Sequence, residues 1–317
     1  MRAKAMFCII LACVVGCDAV RTIEETQFPM NTYVRIKLWV TNGDSVEPAL
    51  EQAFREIARV ETLTSHFHKG SLLTEANLKK TIVSEELAEL VLEALEVSEL
   101  TDGAFDPTVY PLLDLWGFYD TLATSIPRDE VITKALQGIN WQSVEVSADT
   151  VTVDGVMLDL SAIAKGYAVD KAAAILEGMG VNLALIDAGG DIRCMGQKKG
   201  GWNIGIKHPR DEGLLGIINL TEGSVATSGD YENYFEVQGI RFHHLMDPRT
   251  GKPAREALSA TVIAPTTLQA DAWATALFVM GRDGIELLNE IAELEGLIIL
   301  EDFSVVTTKG FPEIQEP

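Results

Sequence analysis

The sequence is poor in cysteine and in long apolar runs. It has four cysteines in 317 residues, and three of them, Cys8, Cys13 and Cys17, lie close to the N-terminus. Only Cys194 remains beyond them, so no disulfide can form within the rest of the chain. After the N-terminal segment there is no apolar run of about 18 residues, which excludes a transmembrane helix there.

Basic residues are also scarce. The chain has 25 Lys or Arg residues against 47 Asp or Glu residues, and its formal net charge is −22 at pH 7. Such a surface repels nucleic acid and anionic lipid, so we expect neither as a partner. An anionic small-molecule ligand would need a local source of positive charge in its site.

The N-terminal segment is typical of an export signal. Arg2 and Lys4 precede an apolar run at 6–15 that is too short to span a bilayer. Residues 14–17 read Val-Val-Gly-Cys, which resembles a bacterial lipobox, in which the cysteine is acylated and becomes the mature N-terminus. The alternative is an ordinary signal peptide with an incidental cysteine.

This interpretation divides the chain into parts. We expect a lipoprotein signal peptide at 1–16, a lipid on Cys17, a tether at 17–28 and one large domain at 29–317. Asp18, directly after the cysteine, favours retention at the inner membrane in some bacteria. We therefore expect the domain on the periplasmic side of the inner membrane.

Hydrophobic periodicity predicts alternating helices and strands. Ser84, Ser161 and Thr266 are candidate helix N-caps. The order of elements has no clean βαβ repeat, so we expect an α+β fold with one mixed, mainly antiparallel sheet and packed helices. The predicted helices begin near 47, 84, 162 and 268, and the predicted strands lie at 33–40, 144–146, 151–153, 183–186, 202–206, 214–220, 234–237, 241–243, 258–264, 297–300 and 304–307.

Three segments have more glycine and carboxylate than a core would use. Residues 103–107 read Gly-Ala-Phe-Asp-Pro, residues 158–167 lead from a strand into a helix, and residues 187–191 read Asp-Ala-Gly-Gly-Asp. The amides that open a helix favour an anion, and Lys165 adds positive charge. Paired glycines let a backbone approach a ligand closely. Taken alone, residues 103–107 favour a plain helix-to-loop connection, and a tight turn explains residues 187–191 about as well as a ligand site does. At the helix start, Ser161 as N-cap is compatible with an anion site.

A fourth segment combines histidine, aspartate and threonine. His243 and His244 lie on a probable strand and point to opposite faces, so they do not easily bind one ion. Asp271 and Thr275 are four residues apart on a predicted helix and share a face. Their hard oxygen atoms suit Mg²⁺ better than zinc. The alternatives are helix-dipole compensation by Asp271 and a back-bonded hydroxyl of Thr275.

Together these motifs, in this order, resemble the ApbE family of flavin transferases. The resemblance covers nearly the whole chain beyond the signal, from Met30 to Gly281. It implies a T-fold-like domain that binds FAD, transfers FMN to a Thr or Ser hydroxyl of an acceptor protein, and releases AMP. The implied acceptor is an extracytoplasmic subunit of a membrane redox complex.

The resemblance also implies a set of site residues. Mg²⁺ would be held by Asp271, Thr275 and the main-chain oxygen of Ala162. Some members carry an additional Asp where this chain has Ala274, which removes one possible carboxylate, and Phe67 stands where others have Tyr. The implied FAD contacts are Met30, Phe67, Ala104, Phe105, Asp106, Asp159, Lys165 and Leu245.

An acceptor hydroxyl benefits from a general base, and His244 is the best candidate, with His243 as the alternative. The same residues also suit two other functions. One is an Mg²⁺-dependent FAD pyrophosphatase, in which water replaces the acceptor. The other is a flavin-binding lipoprotein without turnover.

Overall fold

The computed structural model describes residues 20–41, 46–119 and 125–317. None of the helices within these ranges is long and apolar enough to cross a membrane. The helices are α1 (Glu47–Thr64), α2 (Leu72–Lys79), α3 (Glu85–Leu100), α4 (Tyr110–Leu115), α5 (Asp129–Leu136), α6 (Ser161–Gly178), α7 (Thr267–Met280) and α8 (Arg282–Leu288). The strands are β1 (Arg21–Gln27), β2 (Val34–Val40), β3 (Thr81–Val83), β4 (Val144–Ser147), β5 (Thr150–Val153), β6 (Ala184–Ala188), β7 (Asp191–Met195), β8 (Trp202–Lys207), β9 (Leu214–Leu220), β10 (Gly223–Gly229), β11 (Tyr234–Val237), β12 (Ile240–His243), β13 (Met246–Asp247), β14 (Lys252–Pro253), β15 (Ala257–Ala264), β16 (Glu295–Leu300) and β17 (Val305–Thr307).

An eight-stranded sheet forms the centre of the fold. Its order is β1-β2-β6-β7-β10-β15-β16-β17, and each described pair in it is antiparallel. The α+β class and the mainly antiparallel character are confirmed. No parallel pair occurs among the described strands, in keeping with the absence of a βαβ repeat.

The two faces of this sheet are covered differently. Helices α6 and α7 pack on one face, with α1 against α6 and α3 against α7, and residues such as Ile36, Ile186 and Val262 are buried in this core. The β8–β9 hairpin covers part of the other face, where Trp202, Ile204 and other apolar residues form a second cluster. The second face therefore has a covered part and a part that is left open beside the hairpin.

Helix ends follow local capping chemistry. The Ser84 hydroxyl accepts from the amide of Leu87, and the Thr266 hydroxyl accepts from the amide of Gln269, so both expected N-caps are confirmed. The expectation for Ser161 is wrong. Helix α6 begins at Ser161 itself, and the carboxylate of Asp159 accepts from its amide at 2.9 Å.

The expected tether is corrected by β1. Arg21–Gln27 lies inside the expected 17–28 segment, yet it pairs along its whole length with β2. Its sequence has one strongly apolar residue, Ile23, so hydrophobic alternation gives no signal for an edge strand of this kind. Cys17 lies outside the described residues.

Strand β10 is a second element without a sequence signal. It reads Gly-Ser-Val-Ala-Thr-Ser-Gly, too small and polar to be recognised as a central strand. It lies between β7 and β15 and packs against α7. Small side chains are used here because they let the helix approach the sheet closely, which brings α7 to the functional site.

Candidate functional site

A cavity of about 980 Å³ opens where the sheet, the start of α6 and the loop after β12 meet. This volume is at the upper end of the range for small-molecule and cofactor sites, roughly 300–1,000 Å³. Every site residue expected on the domain lines it, which brings together segments far apart in sequence. These residues are Met30, Phe67, Ala104, Phe105, Asp106, Asp159, Ala162, Lys165, His244, Leu245, Asp271 and Thr275.

Lys165 is the centre of a charged cluster. Its Nζ lies 2.9 Å from Oδ2 of Asp191 and 3.2 Å from Oδ1 of Asp271. Burial acts to lower the pKa of Lys165, but the charges of Asp191, Asp271 and Glu232 outweigh it and raise the pKa. Lys165 is therefore a firmly charged ammonium group within the cavity.

The carboxylates outnumber this cation. Burial raises the pKa of Asp191 well above its usual range, and the neighbouring charge of Asp271 raises it further. Burial also raises the pKa of Glu232, to about 7. The Glu232 side chain faces the cavity and is exposed to the solvent that enters it. Three carboxyl groups thus surround one ammonium group, and the raised pKa values of Asp191 and Glu232 mean that these two take up protons readily.

Asp271 links the two long helices at this point. Its Oδ2 accepts from the amide of Gly166 at 3.0 Å. In an α-helix that amide is the usual partner of the Ala162 carbonyl, four residues earlier. Asp271 and the Ala162 carbonyl thus compete for this donor. The Ala162 oxygen can therefore still accept another bond at the cavity wall. The Thr275 hydroxyl, one turn further along α7, lies 3.2 Å from the Ser228 hydroxyl.

These oxygen atoms fit a hard divalent cation. Asp271 supplies a buried carboxylate, Thr275 a hydroxyl and Ala162 a carbonyl, all at the wall of one cavity. Within the described ranges, no group of three or more His, Cys, Asp or Glu side chains is placed to hold a metal ion. A cation here would therefore depend on the hydroxyl and the main-chain oxygen as well as on carboxylate.

Asp159 anchors the entrance to α6 and a cluster of aromatic rings. Its carboxylate accepts from the Ser161 amide on one oxygen and from the Tyr119 hydroxyl on the other. The His66 ring lies 3.9 Å from the rings of both Phe67 and Tyr119, measured between centroids. Phe67 thus belongs to an aromatic wall suited to a planar ring system.

The turn at 104–106 is held by its own aspartate. Oδ1 of Asp106 accepts from the amide and the hydroxyl of Thr108, and Oδ2 accepts from the amide of Trp141. Burial raises the pKa of Asp106, while the bonds from Thr108 oppose this shift. Asp106 therefore fixes the shape of the loop that faces the cavity.

Met30 occupies a left-handed turn between β1 and β2. Met30 and Asn31 both have φ of 56°, and the Thr32 amide donates to the Pro29 carbonyl. Such a backbone is uncommon for residues other than glycine and is frequent at ligand sites. The turn holds Met30 at the cavity rim.

The two histidines have different environments. The expectation that both lie on a strand is wrong for His244, because β12 ends at His243 and the chain bends at His244. His243 is buried, packs edge-on against Phe278, and its Nε2 donates to the Ala254 carbonyl at 2.8 Å. His244 lines the cavity, and its Nδ1 lies 3.2 Å from the main-chain oxygen of Asn233. A carbonyl only accepts, so Nδ1 of His244 carries the proton and Nε2 carries the lone pair.

Burial is the main cause that lowers the pKa of both histidines, to about 4 in each case. For His244 the charge of Lys165 adds to the effect, while the bond to Asn233 opposes it. Both rings are therefore neutral near pH 7.

Sequence reasoning missed several residues of the cavity. Tyr119, His66 and Glu232 carry no motif that distinguishes them from ordinary surface residues. Asp191 lies in the Asp-Ala-Gly-Gly-Asp segment that the sequence singles out, but its ion pair with Lys165 depends on the meeting of β7 and α6. Only the three-dimensional fold shows that contact.

Comparison with known protein families gives one match over most of the chain. The model of the ApbE family matches residues 30–298. The FAD:protein FMN transferase of Vibrio cholerae is 34% identical, with 96% of this chain and 93% of that protein covered. The protein of the same name from Treponema pallidum is 31% identical, with 98% and 93% covered.

Solved structures agree in fold. The crystal structure of an ApbE protein from Thermotoga maritima has a TM-score of 0.84 at 37% identity, and covers 91% of this chain and 97% of that one. The flavin transferase ApbE from Vibrio cholerae has a TM-score of 0.83 at 29% identity, and covers 92% and 99%. The expected fold is confirmed by both.

Proposed function

The chain belongs to the ApbE family, and from this premise we propose that it transfers FMN from FAD to a hydroxyl group of an acceptor protein. One observation carries the proposal: every residue expected to contact FAD or a cation on the domain lines one cavity large enough for a dinucleotide. The acceptor oxygen forms a bond to the phosphorus of the FMN half. The bond from that phosphorus to the bridging oxygen breaks, AMP leaves with the bridging oxygen, and the hydroxyl proton is released.

The arrangement of the cavity supports a defined position for FAD. The aromatic wall of His66, Phe67 and Tyr119 offers faces for a planar ring. A bound Mg²⁺ would supply most of the positive charge that the pyrophosphate needs, helped by the amides at the start of α6 and by Lys165. This answers the problem set by a chain of net charge −22, because the positive charge is supplied locally.

Mg²⁺ is part of the proposal, held by Asp271, Thr275 and the Ala162 oxygen. When bound, it would neutralise charge on the pyrophosphate and on the leaving AMP. The crowding of carboxyl groups around Lys165, from which a cation would displace protons, and the donor competition at Gly166 support such a cation. Ala274 is fully buried in α7 and contributes no oxygen atom to this set.

His244 is the proposed general base. Its Nδ1–H donates to Asn233, so Nε2 holds the lone pair on a ring that lines the cavity. The ring is neutral near pH 7 and can take the proton of an acceptor hydroxyl. His243 is the less suitable alternative, since it is buried against Phe278 with its Nε2 engaged by Ala254.

The location of the reaction is also a proposal. The N-terminal sequence supports a lipid on Cys17 and a position on the periplasmic side of the inner membrane. Acceptors would then be extracytoplasmic subunits of membrane redox complexes. A shared membrane surface raises the effective concentration of enzyme and acceptor.

One assay tests the function. The enzyme is incubated with FAD, Mg²⁺ and peptides of about ten residues that carry a central threonine, with the other positions randomised among residues that lack a hydroxyl. Covalent FMN on the threonine, detected by mass spectrometry with AMP in equal amount, is the expected result. Free FMN alone would identify a pyrophosphatase, and unchanged FAD would identify a flavin-binding protein without turnover.

A further inference from the structure

Strand β8 contributes an unusual wall to the cavity. Consecutive residues from Asn203 to Lys207 line it. A strand that presents a face to a cavity contributes alternate residues, because successive side chains point to opposite sides. Consecutive lining residues indicate that β8 presents its edge.

The main chain at this edge is unpaired among the described residues. On the far side of the hairpin, the amide and carbonyl of Ile217 in β9 bond to Gln315, so both point away from β8. Ile217 lies opposite Gly205. In an antiparallel ladder the amide and carbonyl of Gly205 must then point away from β9, towards the open edge. By the same alternation, the amide and carbonyl of Asn203, two residues earlier in β8, also point towards the open edge.

The surface beside this edge is open and partly apolar. Leu185 and Ile192 lie at the margin of the apolar cluster under the hairpin, are half-buried and line the cavity. Arg35 lies on the same face and is 44% exposed. The residues expected to contact FAD lie on helices and loops rather than on β8, so none of them belongs to this edge.

We propose that the open edge of β8 binds the acceptor polypeptide as an added strand. This rests on the proposed function, in which a protein hydroxyl must enter the cavity. An extended segment would pair with the outward amides and carbonyls of Asn203 and Gly205, and its side chains would contact Leu185 and Ile192. Main-chain pairing of this kind binds a peptide with little dependence on its sequence. It places alternate side chains towards the cavity, one of them the acceptor hydroxyl.

Gly205 gives a matched pair of variants. Gly205→Pro removes the outward amide without breaking a bond of the β8–β9 ladder, and proline is tolerated on edge strands. Gly205→Ala keeps the amide and adds a Cβ. That atom would meet the end of the flexible, 44% exposed Leu214 side chain, which can shift. The alanine variant thus controls for any effect of added bulk.

The peptides described above serve as the probe, with one flavinylated sequence chosen from the mixture. We expect Gly205→Pro to raise the KM for this peptide about tenfold or more, because one or two hydrogen bonds and part of the close contact with the peptide are lost. Gly205→Ala should stay within about twofold of the parent by the same scale. The Kd for FAD and the thermal unfolding midpoint should be unchanged in both variants.

A second measurement does not depend on variants. A version of the peptide with valine in place of threonine is added to the parent enzyme with FAD, and amide hydrogen exchange is followed. Exchange at Gly205 should slow, while exchange at Ile217 on the opposite edge should not change.

The outcomes separate the two proposals. If the parent enzyme flavinylates no peptide, the proposed function is overturned and this inference falls with it. If the parent flavinylates peptides but Gly205→Pro has an unchanged KM and Gly205 shows no protection, only the added strand is overturned. Dimerisation of the enzyme that Gly205→Pro abolishes, without an effect on peptide KM, would assign the edge to a second copy of the chain.

Discussion

The Nδ1 atom of His244 lies 3.2 Å from the main-chain oxygen of Asn233, and this contact fixes the tautomer of the ring. Because the carbonyl requires a donor, Nε2 is left as the acceptor on a ring at the cavity wall. This arrangement is what a general base needs: a neutral ring, a fixed orientation and a free lone pair.

His244→Ala should retain FAD binding and lose most transfer. Removal of a general base typically costs about 10²–10⁴ in rate. The measurement is the rate of covalent FMN formation at saturating FAD, beside the Kd for FAD. Equal transfer rates in variant and parent would remove His244 from this role.

The transfer rate should also depend on pH in a defined direction. With the pKa of His244 lowered to about 4, the ring is neutral and active as a base from neutral pH down to mildly acidic pH. The rate should fall only as the pH approaches about 4. A fall centred near pH 6.5, the ordinary value for histidine, would show that burial does not control this ring.

Asp271→Asn should lose Mg²⁺ binding and Mg²⁺-dependent activity together. The substitution keeps the size of the side chain but removes the carboxylate charge that a hard cation needs. Calorimetric titration with Mg²⁺ measures binding without turnover. Asp187→Asn is the matched control, because Asp187 also lines the cavity but pairs with Arg35. Full activity in Asp271→Asn that a chelator does not affect would contradict the metal site.

The sequence predicts elements that depend on local chemistry. The N-caps at Ser84 and Thr266 are confirmed because an N-cap needs only a hydroxyl and a nearby amide. The strands predicted at 144–146 and 151–153 are likewise confirmed, and they pair with each other as the hairpin of β4 and β5. Strands β1 and β10 escape detection because their stability comes from neighbours in the sheet rather than from their own apolar residues.

The functional site shows the same difference between features that a sequence pattern predicts and contacts that only the fold creates. Motifs and family resemblance single out Asp271, Thr275 and Lys165, and the structure places all three at the wall of one cavity. The ion pair of Lys165 with Asp191 and the bond from Tyr119 to Asp159 join residues distant in sequence. Neither pair has a fixed spacing, so no sequence pattern encodes it.

The buried His243 should make the fold less stable in acid. Its pKa is lowered from 6.5 to about 4, so the unfolded chain binds a proton that the folded chain does not between these values. Stability therefore rises with pH through this window and is lost as pH falls from about 6.5 to about 4.

His243→Gln isolates this effect, since glutamine can still donate to Ala254 but does not titrate. At pH 7.5 the parent should be more stable in urea unfolding. The difference should shrink by up to about 3 kcal/mol at pH 4. A difference that is the same at both pH values would contradict the titration of His243.

Gly166 and Gly178 lie on the same helix and should respond oppositely to alanine. A Cβ on Gly166 would lie 2.3 Å from the main-chain oxygen of Thr267, so α6 and α7 would have to separate. We expect Gly166→Ala to destabilise the fold by roughly 1–3 kcal/mol. It should also weaken Mg²⁺ binding, because the Gly166 amide holds Asp271.

Gly178 is the control, since a Cβ there meets no atom within 4 Å. Gly178→Ala should be neutral or stabilise the fold by about 0.4–1 kcal/mol. Thermal and urea unfolding measure both variants. Equal stability of the two variants would show that the close approach of α6 and α7 does not restrict the side chain at position 166.

The start of β1 changes what a lipid on Cys17 would do. Only residues 18–20 separate that cysteine from Arg21, so the link spans roughly 10–14 Å when extended. A domain held this close to the membrane reaches only acceptor sites near the surface. Cys17→Ser should therefore release the enzyme from the membrane, leave its rate on a soluble acceptor peptide unchanged, and slow the labelling of membrane-bound acceptors.

A flexible insertion of about ten Gly and Ser residues between Val20 and Arg21 is the matched variant, because it keeps the lipid and extends the reach to about 15–20 Å on average. It should extend labelling to acceptor sites farther from the surface. If Cys17→Ser labels membrane-bound acceptors as fast as the parent, the lipid has no role in bringing enzyme and acceptor together.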